Sequence, residues 1–315
     1  AWQTYVMFGG AALLLSIFLY IETRVPEPVL DLSLFKNRVF TVMNLVGFLQ
    51  GAGMFGAIVF VPWFIQGVVG VDPNQAGNVM TPMMLTVVVF SVLAGRIALK
   101  FPYRYQISAG FVILATGFYL MTGWSVNTTL LQATLSTMVI GAGLGLIMPI
   151  LALAVQNAFP ASRRGVVTSA STFFRSVGGT VGITIFGVIF NNQMAAKFPT
   201  TVAPVLGQIQ AVAGGGLPPQ ATAFFSEAAR NPQSLIGILL RDEARAAMPP
   251  AVLQVLSPAV KLMMSEALHV VFWSGMAVVV VGLLTVQFLG NISLKQQTDE
   301  LGDQALSLEH PVIAD

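Results

Sequence analysis

The sequence is poor in the residues that most soluble proteins and enzymes depend on. Its 315 residues include no cysteine, two histidines and only 9% charged residues. The lack of cysteine excludes disulfides and thiolate chemistry. Soluble domains carry about 25% charge, so this deficit, with 55% hydrophobic residues, indicates an integral membrane protein. A net charge of +2 is too small to indicate nucleic-acid binding.

The motifs of common enzyme classes are also missing. Neither His269 nor His310 has a plausible partner cluster nearby, and no phosphate loop, His/Glu metal motif or nucleophile elbow occurs. We therefore expect no enzymatic activity, no cofactor and no metal site.

Seven apolar segments are long enough to cross a bilayer, which requires about 20 residues. They cover residues 2–21, 39–66, 74–98, 105–123, 130–155, 166–190 and 266–289. The sequence thus predicts an all-α integral membrane protein. Because the chain begins at Ala1 without a signal peptide pattern, we interpret it as part of a longer protein.

Positive charge alternates between successive connections. Lysine and arginine occur in residues 22–38, 96–104 and 157–165 and in the tail after residue 290, but not in residues 67–73 or 124–129. Short basic connections stay in the cytoplasm, whereas long loops cross the membrane regardless of charge. We therefore expect a bacterial inner-membrane protein with Ala1 outside, Asp315 in the cytoplasm and the long connection 191–265 outside.

The connections have features of their own. Residues 22–38 predict a short amphipathic helix on the cytoplasmic surface, capped by Asp31 or Ser33. Prolines and glycines divide residues 191–265, and the intervening segments 220–230, 233–247 and 251–264 predict short outer helices. The cytoplasmic tail covers residues 290–315, of which residues 295–315 are polar and are expected to be disordered.

Glycines concentrate inside the predicted spans. Three pairs are spaced four residues apart, which lets helix backbones approach closely: Gly47/Gly51, Gly141/Gly145 and Gly178/Gly182. These pairs predict either static tight packing or smooth surfaces on which helices slide or rock.

Arg175 is the ionisable residue that lies clearly inside a predicted span. Thr168, Thr172, Gly179 and Gly182 recur at spacings of three and four from it and share its helix face. Intramembrane charges normally face a bundle interior or a water-filled cavity. The alternatives are an arginine that extends to the cytoplasmic surface or caps the carbonyls of a neighbouring helix.

Other polar and soft side chains lie in the second and third spans. Asn44 and Gln50 suit either interhelical hydrogen bonds or substrate contact. The nearby methionines and phenylalanines suit either a ligand surface that can repack or a lipid-facing surface. Our candidate cavity residues are Asn44, Gln50, Met54, Phe55, Met80, Met84, Thr172 and Arg175.

Several stretches, taken together, resemble one transporter family. Residues 70–77 (GVDPNQAG) followed by Pro82 resemble a turn and helix entry of the major facilitator superfamily. Residues 95–104 (GRIALKFPYR) are similar to its cytoplasmic loop motif G-x-L-x-D-R-x-G-R-R, although Leu99 replaces the acid, Pro102 the glycine and Tyr103 an arginine. Lys100 and Arg104 remain as phosphate or helix-end contacts.

Three further stretches narrow the resemblance: residues 28–38 (PVLDLSLFKNR), residues 164–179 (from RG to FRSVGG) and residues 267–272 (ALHVVF). Together they are similar to the C-terminal half of the fourteen-helix drug:proton antiporters, the EmrB/QacA group. The resemblance implies that residues 1–21 form a linker helix, residues 39–190 the first five helices of a C-terminal bundle and residues 266–289 its last helix.

The resemblance also implies a mechanism and partners. The bundle would consist of three plus three inverted helices, with the first, second, fourth and fifth lining a cavity. The protein would export amphipathic, often cationic compounds against proton entry, together with a missing N-terminal half that supplies the coupling carboxylates. Residues implied in conformational change are Gly77, Pro82, Gly95, Arg96, Lys100, Arg104, Arg164, Gly165, Gly178, Gly179 and Gly182.

Three alternatives stay open at this point. One is a major facilitator exporter of a defined metabolite or lipid, which no residue excludes. Another is a seven-helix receptor or photoreceptor, although the last span has no lysine for a retinal Schiff base and no cysteine pair ties the outer loops. The third is a non-transporting membrane scaffold.

Overall fold

The computed structural model describes residues 32–98, 100–205, 208, 232–237 and 250–289, together with nine positions between Val6 and Ile21. Those nine positions are all helical, as expected for the first span. Several predicted segments lie outside the described residues: the remainder of that span, the helix at 220–230, most of the helix at 233–247 and the tail from residue 290.

Six long helices make up the described bundle, and each is long and apolar enough to cross a membrane. In chain order they are α1 (Arg38–Phe64), α2 (Pro73–Ala98), α3 (Tyr103–Thr122), α4 (Leu130–Asn157), α5 (Arg164–Thr201) and α6 (Pro250–Val286). No strand occurs among the described residues. The predicted all-α membrane fold is therefore confirmed.

Local sequence signals account for several helix ends. Asn37 caps α1, because its Oδ1 accepts hydrogen bonds from the backbone N–H groups of Val39 (2.9 Å) and Phe40 (3.3 Å). A π-helical turn, Ile65–Val69, prolongs α1 to Gly70, whose φ of 86° suits a glycine. Thr129 and Gln132 form a capping box at the start of α4.

The connection before α1 contains a short helix. Residues Leu32–Lys36 form a 3₁₀ helix, within the segment where a short amphipathic helix was predicted. Five residues are too few for an α-helix to repay its nucleation cost. Asn37 caps the helix that follows. Asp31, one of the two residues predicted to cap the short surface helix, lies outside the described residues.

The helices pack in pairs that relate the two halves of the bundle. α1 packs on α5, and α2 packs on α4; α3 packs on α4, and α6 packs on α1. If α1, α2 and α3 exchange places with α4, α5 and α6, the α1–α5 pair becomes the α2–α4 pair. The α3–α4 pair likewise becomes the α1–α6 pair. This exchange symmetry is the pattern of two inverted three-helix repeats.

Charge distinguishes the two ends of the bundle. Arg38, Arg96, Lys100, Arg104 and Arg164 lie at one end, which we call the basic end. The other end, called the opposite end, has an aromatic cluster in which the Trp124 ring centroid lies 4.9 Å from that of Phe64 and 5.5 Å from that of Phe272. All three rings are buried, so the cluster packs α1, α3 and α6 together near this end.

The helices α5 and α6 are longer at the opposite end than predicted. The segment 251–264 was expected to be a separate short helix, and the last span was expected to begin at residue 266, but α6 starts at Pro250 and runs through Pro258 without a break. An interior proline costs a helix about 3 kcal/mol. Val252, Leu256, Val260 and Met263 are buried along one face, and each contributes about 1.5–3 kcal/mol, which outweighs that cost.

Candidate functional site

A cleft with a cavity volume of about 70 Å³ opens between α1, α4 and α5 in the half of the bundle toward the basic end. Its apolar walls come from α1 and α4, which contribute Met43, Gly47, Leu151, Ala152 and Val155. Its polar wall comes from α5, which contributes Thr168, Ser171, Thr172 and Arg175. Mostly apolar clefts with a few polar groups on one side are typical of small-molecule sites.

Arg175 supplies the cleft's charge. It lies eleven residues beyond the start of α5 at Arg164, which is about 16 Å along the helix axis. It makes no salt bridge or side-chain hydrogen bond to any described residue. A charge at the centre of a spanning helix costs about 2.5–3.5 kcal/mol on insertion scales, so this guanidinium depends on the open cleft for solvation.

The hydroxyl groups beside Arg175 differ in how they are used. The Thr168 hydroxyl donates a hydrogen bond of 2.6 Å to the carbonyl oxygen of Arg164 in the preceding turn. The Ser171 hydroxyl is buried and has no hydrogen-bond partner among the described residues. The exposed Thr172 hydroxyl donates to no described residue. The Thr172 hydroxyl and the Arg175 guanidinium are therefore open to a ligand, and the buried Ser171 hydroxyl still has a hydrogen bond to donate.

A glycine-lined seam between α1 and α5 positions this polar wall. A methyl group at Gly51 would collide with the backbone carbonyl of Arg175, and one at Gly178 would collide with the carbonyl of Phe48. A methyl group at Gly182 would lie 2.6 Å from the Cα of Ala52. The two backbones thus touch directly, and the close approach at Gly51 fixes where the Arg175 side chain leaves the helix.

A second glycine-lined seam joins α4 to α2. Methyl groups at Gly141 and Gly145 would collide with the backbone carbonyls of Met83 and Val87. Gly47 differs from its predicted partner Gly51, since a methyl group at residue 47 would meet nothing within 4 Å. Gly47 faces the cleft instead of a neighbouring helix, so its spacing from Gly51 does not mark a shared packing surface.

Asn44 and Gln50 lie in the interior and do not line the cleft. Asn44 is 3% exposed, and its side-chain amide donates a 2.8 Å hydrogen bond to the carbonyl of Phe40 in its own helix. Gln50 is fully buried, and its amide nitrogen lies 3.8 Å from the sulfur of Met54. The amide oxygens of both residues have no partner among the described residues.

The predicted methionine and phenylalanine candidates are dispersed. Met54, Phe55 and Met80 are half-buried, and the Phe55 ring packs against Gly179 of α5. Met84 is exposed on α2. None of these four side chains lines the cleft. Thr172 and Arg175 are the predicted cavity residues that the structure brings together.

The residues of the loop motif lie at the basic end. Arg104 donates to the side-chain oxygen of Gln287 from Nε (3.2 Å) and from a terminal nitrogen (2.9 Å), so it ties the start of α3 to the end of α6. Arg96 and Lys100 are exposed. Among the candidates implied in conformational change, Arg164 is exposed, Gly77, Gly95 and Gly165 have open space around them, and Pro82 lies inside α2.

Sequence reasoning missed most of the cleft lining. Met43 and Gly47 were absent from the candidates, as were all three residues of α4 and the buried Ser171. Ser171 could have been found, since it lies four residues before Arg175 and so one helical turn away. The apolar residues of α4 carry no comparable signal, because apolar residues also fill the core.

Comparison with known proteins identifies the family. The family model of the Major Facilitator Superfamily matches residues 1–183. The Multidrug transporter protein MdtP of Bacillus subtilis is 38% identical over 304 residues, covering 95% of this chain and 55% of that protein. Multidrug resistance protein 3 of the same species is 28% identical over 296 residues, covering 93% of this chain and 53% of that protein.

A relative from a fungus is also similar. The MFS-type efflux pump MMF1 of Mycosarcoma maydis is 33% identical over 245 residues, which cover 76% of this chain and 38% of that protein. The chain spans about half the length of the two Bacillus relatives. With its spanning helices and its match over more than half of the sequence, the chain belongs to the major facilitator superfamily of membrane transporters.

Proposed function

We propose that this chain is the C-terminal half of a fourteen-helix multidrug efflux permease of the EmrB/QacA group. In this proposal the cleft is one wall of a transport pathway, and the other wall belongs to an N-terminal half. The transporter exports amphipathic compounds by alternating access, driven by proton entry. The relatives named for multidrug transport, and the share of their length that the chain spans, support the proposal.

The observation that carries this proposal is a line of hydroxyl groups along α5. Ser176, Thr180 and Thr184 continue the four-residue spacing of Thr172 toward the opposite end, and all four are exposed. The hydroxyls of Ser176, Thr180 and Thr184 donate to the carbonyl oxygen four residues earlier, at 2.9, 3.1 and 2.8 Å. We call this line the hydroxyl stripe.

The hydroxyl stripe differs from the surfaces that suit lipid. The exposed face of α6 carries Val280, Val281 and Leu284, as expected against hydrocarbon. A stripe of hydroxyls that begins beside a guanidinium instead suits water or another protein. In our proposal it faces the pathway and the N-terminal half, and the apolar faces contact the bilayer.

Proton coupling is assigned to the other half because the described part of this one carries few acids. Among the described residues the acids are Asp72 and Glu266, and both lie at the opposite end. A proton carrier within the membrane is usually a carboxylate or a histidine. Following the positive-inside rule, we place the basic end in the cytoplasm of a bacterial inner membrane, with the N-terminus of the chain outside.

The experiment that tests the proposal compares the chain with a complete transporter. Residues 1–315, the segment that we propose precedes them, and both together are expressed and studied in inverted membrane vesicles. We expect both pieces to insert, and proton-dependent dye uptake to require both, because one bundle forms only one wall of a pathway. A vesicle without a proton gradient is the control. Proton-dependent uptake by residues 1–315 alone would contradict the proposal.

A further inference from the structure

The guanidinium of Arg175 has no negative partner within the described residues. The nine cleft-lining residues include no acid, and the described acids Asp72 and Glu266 lie at the other end of the bundle. Arg164 and Lys100, at the basic end of the bundle, carry charges of the same sign as that of Arg175. Within the part of the chain that the structure describes, the charge at the cleft is therefore positive, and an anion entering it would be attracted to Arg175.

The polar groups around Arg175 also suit one kind of ligand. The Arg175 guanidinium has several N–H donors in a planar fork, which matches the two oxygens of a carboxylate. The Ser171 hydroxyl is buried without a partner among the described residues, and the Thr172 hydroxyl donates to none of them. All three side chains lie between residues 171 and 175 of α5 and line the same cleft.

The remaining walls determine what else the ligand carries. Met43, Leu151, Ala152 and Val155 give the cleft an apolar side opposite Arg175, and Gly47 leaves space where another residue would place a side chain. The part of a compound that enters this cavity of about 70 Å³ therefore presents apolar surface to α1 and α4. A cationic group gains nothing near Arg175, because like charges repel.

We propose that the cleft binds the oxyanionic group, most simply a carboxylate, of an amphipathic solute, with Arg175 as its charged partner and Ser171 and Thr172 as further donors. Cationic compounds are accommodated when they also carry such a group, as zwitterions do. This inference rests on the proposed transport function only for the fate of the compound, because binding is measured on the chain itself.

Three fluorescent probes that share one dansyl group test this assignment. They are dansylglycine, which has a carboxylate, its neutral methyl ester, and dansylcadaverine, which has an ammonium group. Binding is measured by fluorescence with residues 1–315 in phosphatidylcholine nanodiscs, and empty nanodiscs supply the background. We expect dansylglycine to bind about tenfold or more tightly than the ester, and dansylcadaverine to bind most weakly. Equal affinities of the wild-type chain for all three probes would overturn the proposal without any variant.

Substitutions then assign the effect to residues. Arg175→Ala should weaken dansylglycine binding about tenfold or more and leave ester binding unchanged, and Arg175→Lys should restore only part of it because lysine lacks the planar fork. Ser171→Ala should weaken dansylglycine binding by a smaller factor. Lys197→Ala is the matched control, since it removes one positive charge from the same helix far from the cleft and should leave binding unchanged.

The outcomes separate this inference from the transport proposal. If Arg175→Ala weakens the acid and the ester equally, Arg175 only shapes the cleft and the proposal is wrong. The measurement is repeated on the complete transporter. The same selectivity there supports the proposal even if efflux is absent. Loss of dansylglycine binding there would show that a carboxylate of the other half neutralises Arg175, which would overturn the assignment to a solute.

Discussion

The close packing of Gly182 on α1 leads to a quantitative prediction about the stability of the bundle. A methyl group at residue 182 would lie 2.6 Å from the Cα, 2.7 Å from the Cβ and 3.0 Å from the carbonyl oxygen of Ala52. Two of these three atoms belong to the backbone, which cannot rotate away as a side chain can. Gly182→Ala therefore requires α1 and α5 to separate along their seam.

The expected cost follows from the behaviour of overpacked interiors. Inserting a methyl group into a well-packed core typically costs about 1–3 kcal/mol, and we expect Gly182→Ala to lower the free energy of unfolding by that amount. Gly187 is the matched control, because it lies on the same helix and a methyl group there would meet nothing within 4 Å. Gly187→Ala should not lower the free energy of unfolding and should raise it by up to about 1 kcal/mol, because alanine favours the helix.

The assay is reversible unfolding of residues 1–315 by sodium dodecyl sulfate in mixed micelles, followed by the fluorescence of its four tryptophans. In a double-mutant cycle, Ala52→Gly should restore part of the stability lost in Gly182→Ala, because it removes the collision with the Ala52 methyl group but leaves the collision with the backbone. Equal stability of Gly182→Ala and Gly187→Ala would refute the close-approach reasoning. In a complete transporter, a loss of efflux larger than the loss of folded protein would favour rocking at this seam over static packing.

Three further predictions concern the ends of the bundle. Single cysteines at Asp72 and Lys100 should react with an impermeant maleimide from opposite sides of the membrane, and labelling from one side would contradict the topology. Lys197→Ala should lower the free energy of unfolding by less than about 1 kcal/mol in the same assay, because its 2.8 Å ion pair with Glu266 is about 40% exposed on both side chains. Pro258→Ala should stabilise the start of α6 by up to about 3 kcal/mol, because it restores an interior N–H donor. Amide exchange at residues 250–262 measures this gain and should become slower, whereas faster exchange would contradict the prediction.

The helices themselves were largely predictable from sequence, for physical reasons. Crossing a bilayer demands a long apolar run with all backbone groups bonded inside the segment, so length and composition nearly fix the spans. The predicted segment 130–155 becomes Leu130–Asn157, and 74–98 becomes Pro73–Ala98. The extensions of α5 and α6 were missed because Pro199 and Pro258 suggested breaks, whereas burial of their apolar faces against each other keeps both helices continuous.

The candidate site was predictable only where a side chain stands out from its surroundings. Arg175 and Thr172 stand out because polar residues are rare within a span, and helical spacing places them on one face. Asn44 and Gln50 stand out equally, yet both are buried away from the cleft. Which polar residue faces a cleft depends on the rotation of each helix against its neighbours, and that rotation is set by tertiary packing.

The glycines show how this rotation is fixed, and they connect the fold to the cleft. Gly178 and Gly182 bring α5 against Phe48 and Ala52 of α1, so α5 cannot turn about its axis without a backbone collision. Because α5 is held in this rotation, the face that carries Ser171, Thr172 and Arg175 is directed toward the cleft that Gly47 leaves open. The two glycines of one pair on α1 thus have different roles. Gly51 lets the backbone of Arg175 approach α1, and Gly47, one turn away, leaves a space for the Arg175 side chain. An alanine at either glycine would therefore affect the cleft by opposite means, by separating the helices at residue 51 and by narrowing the cleft at residue 47.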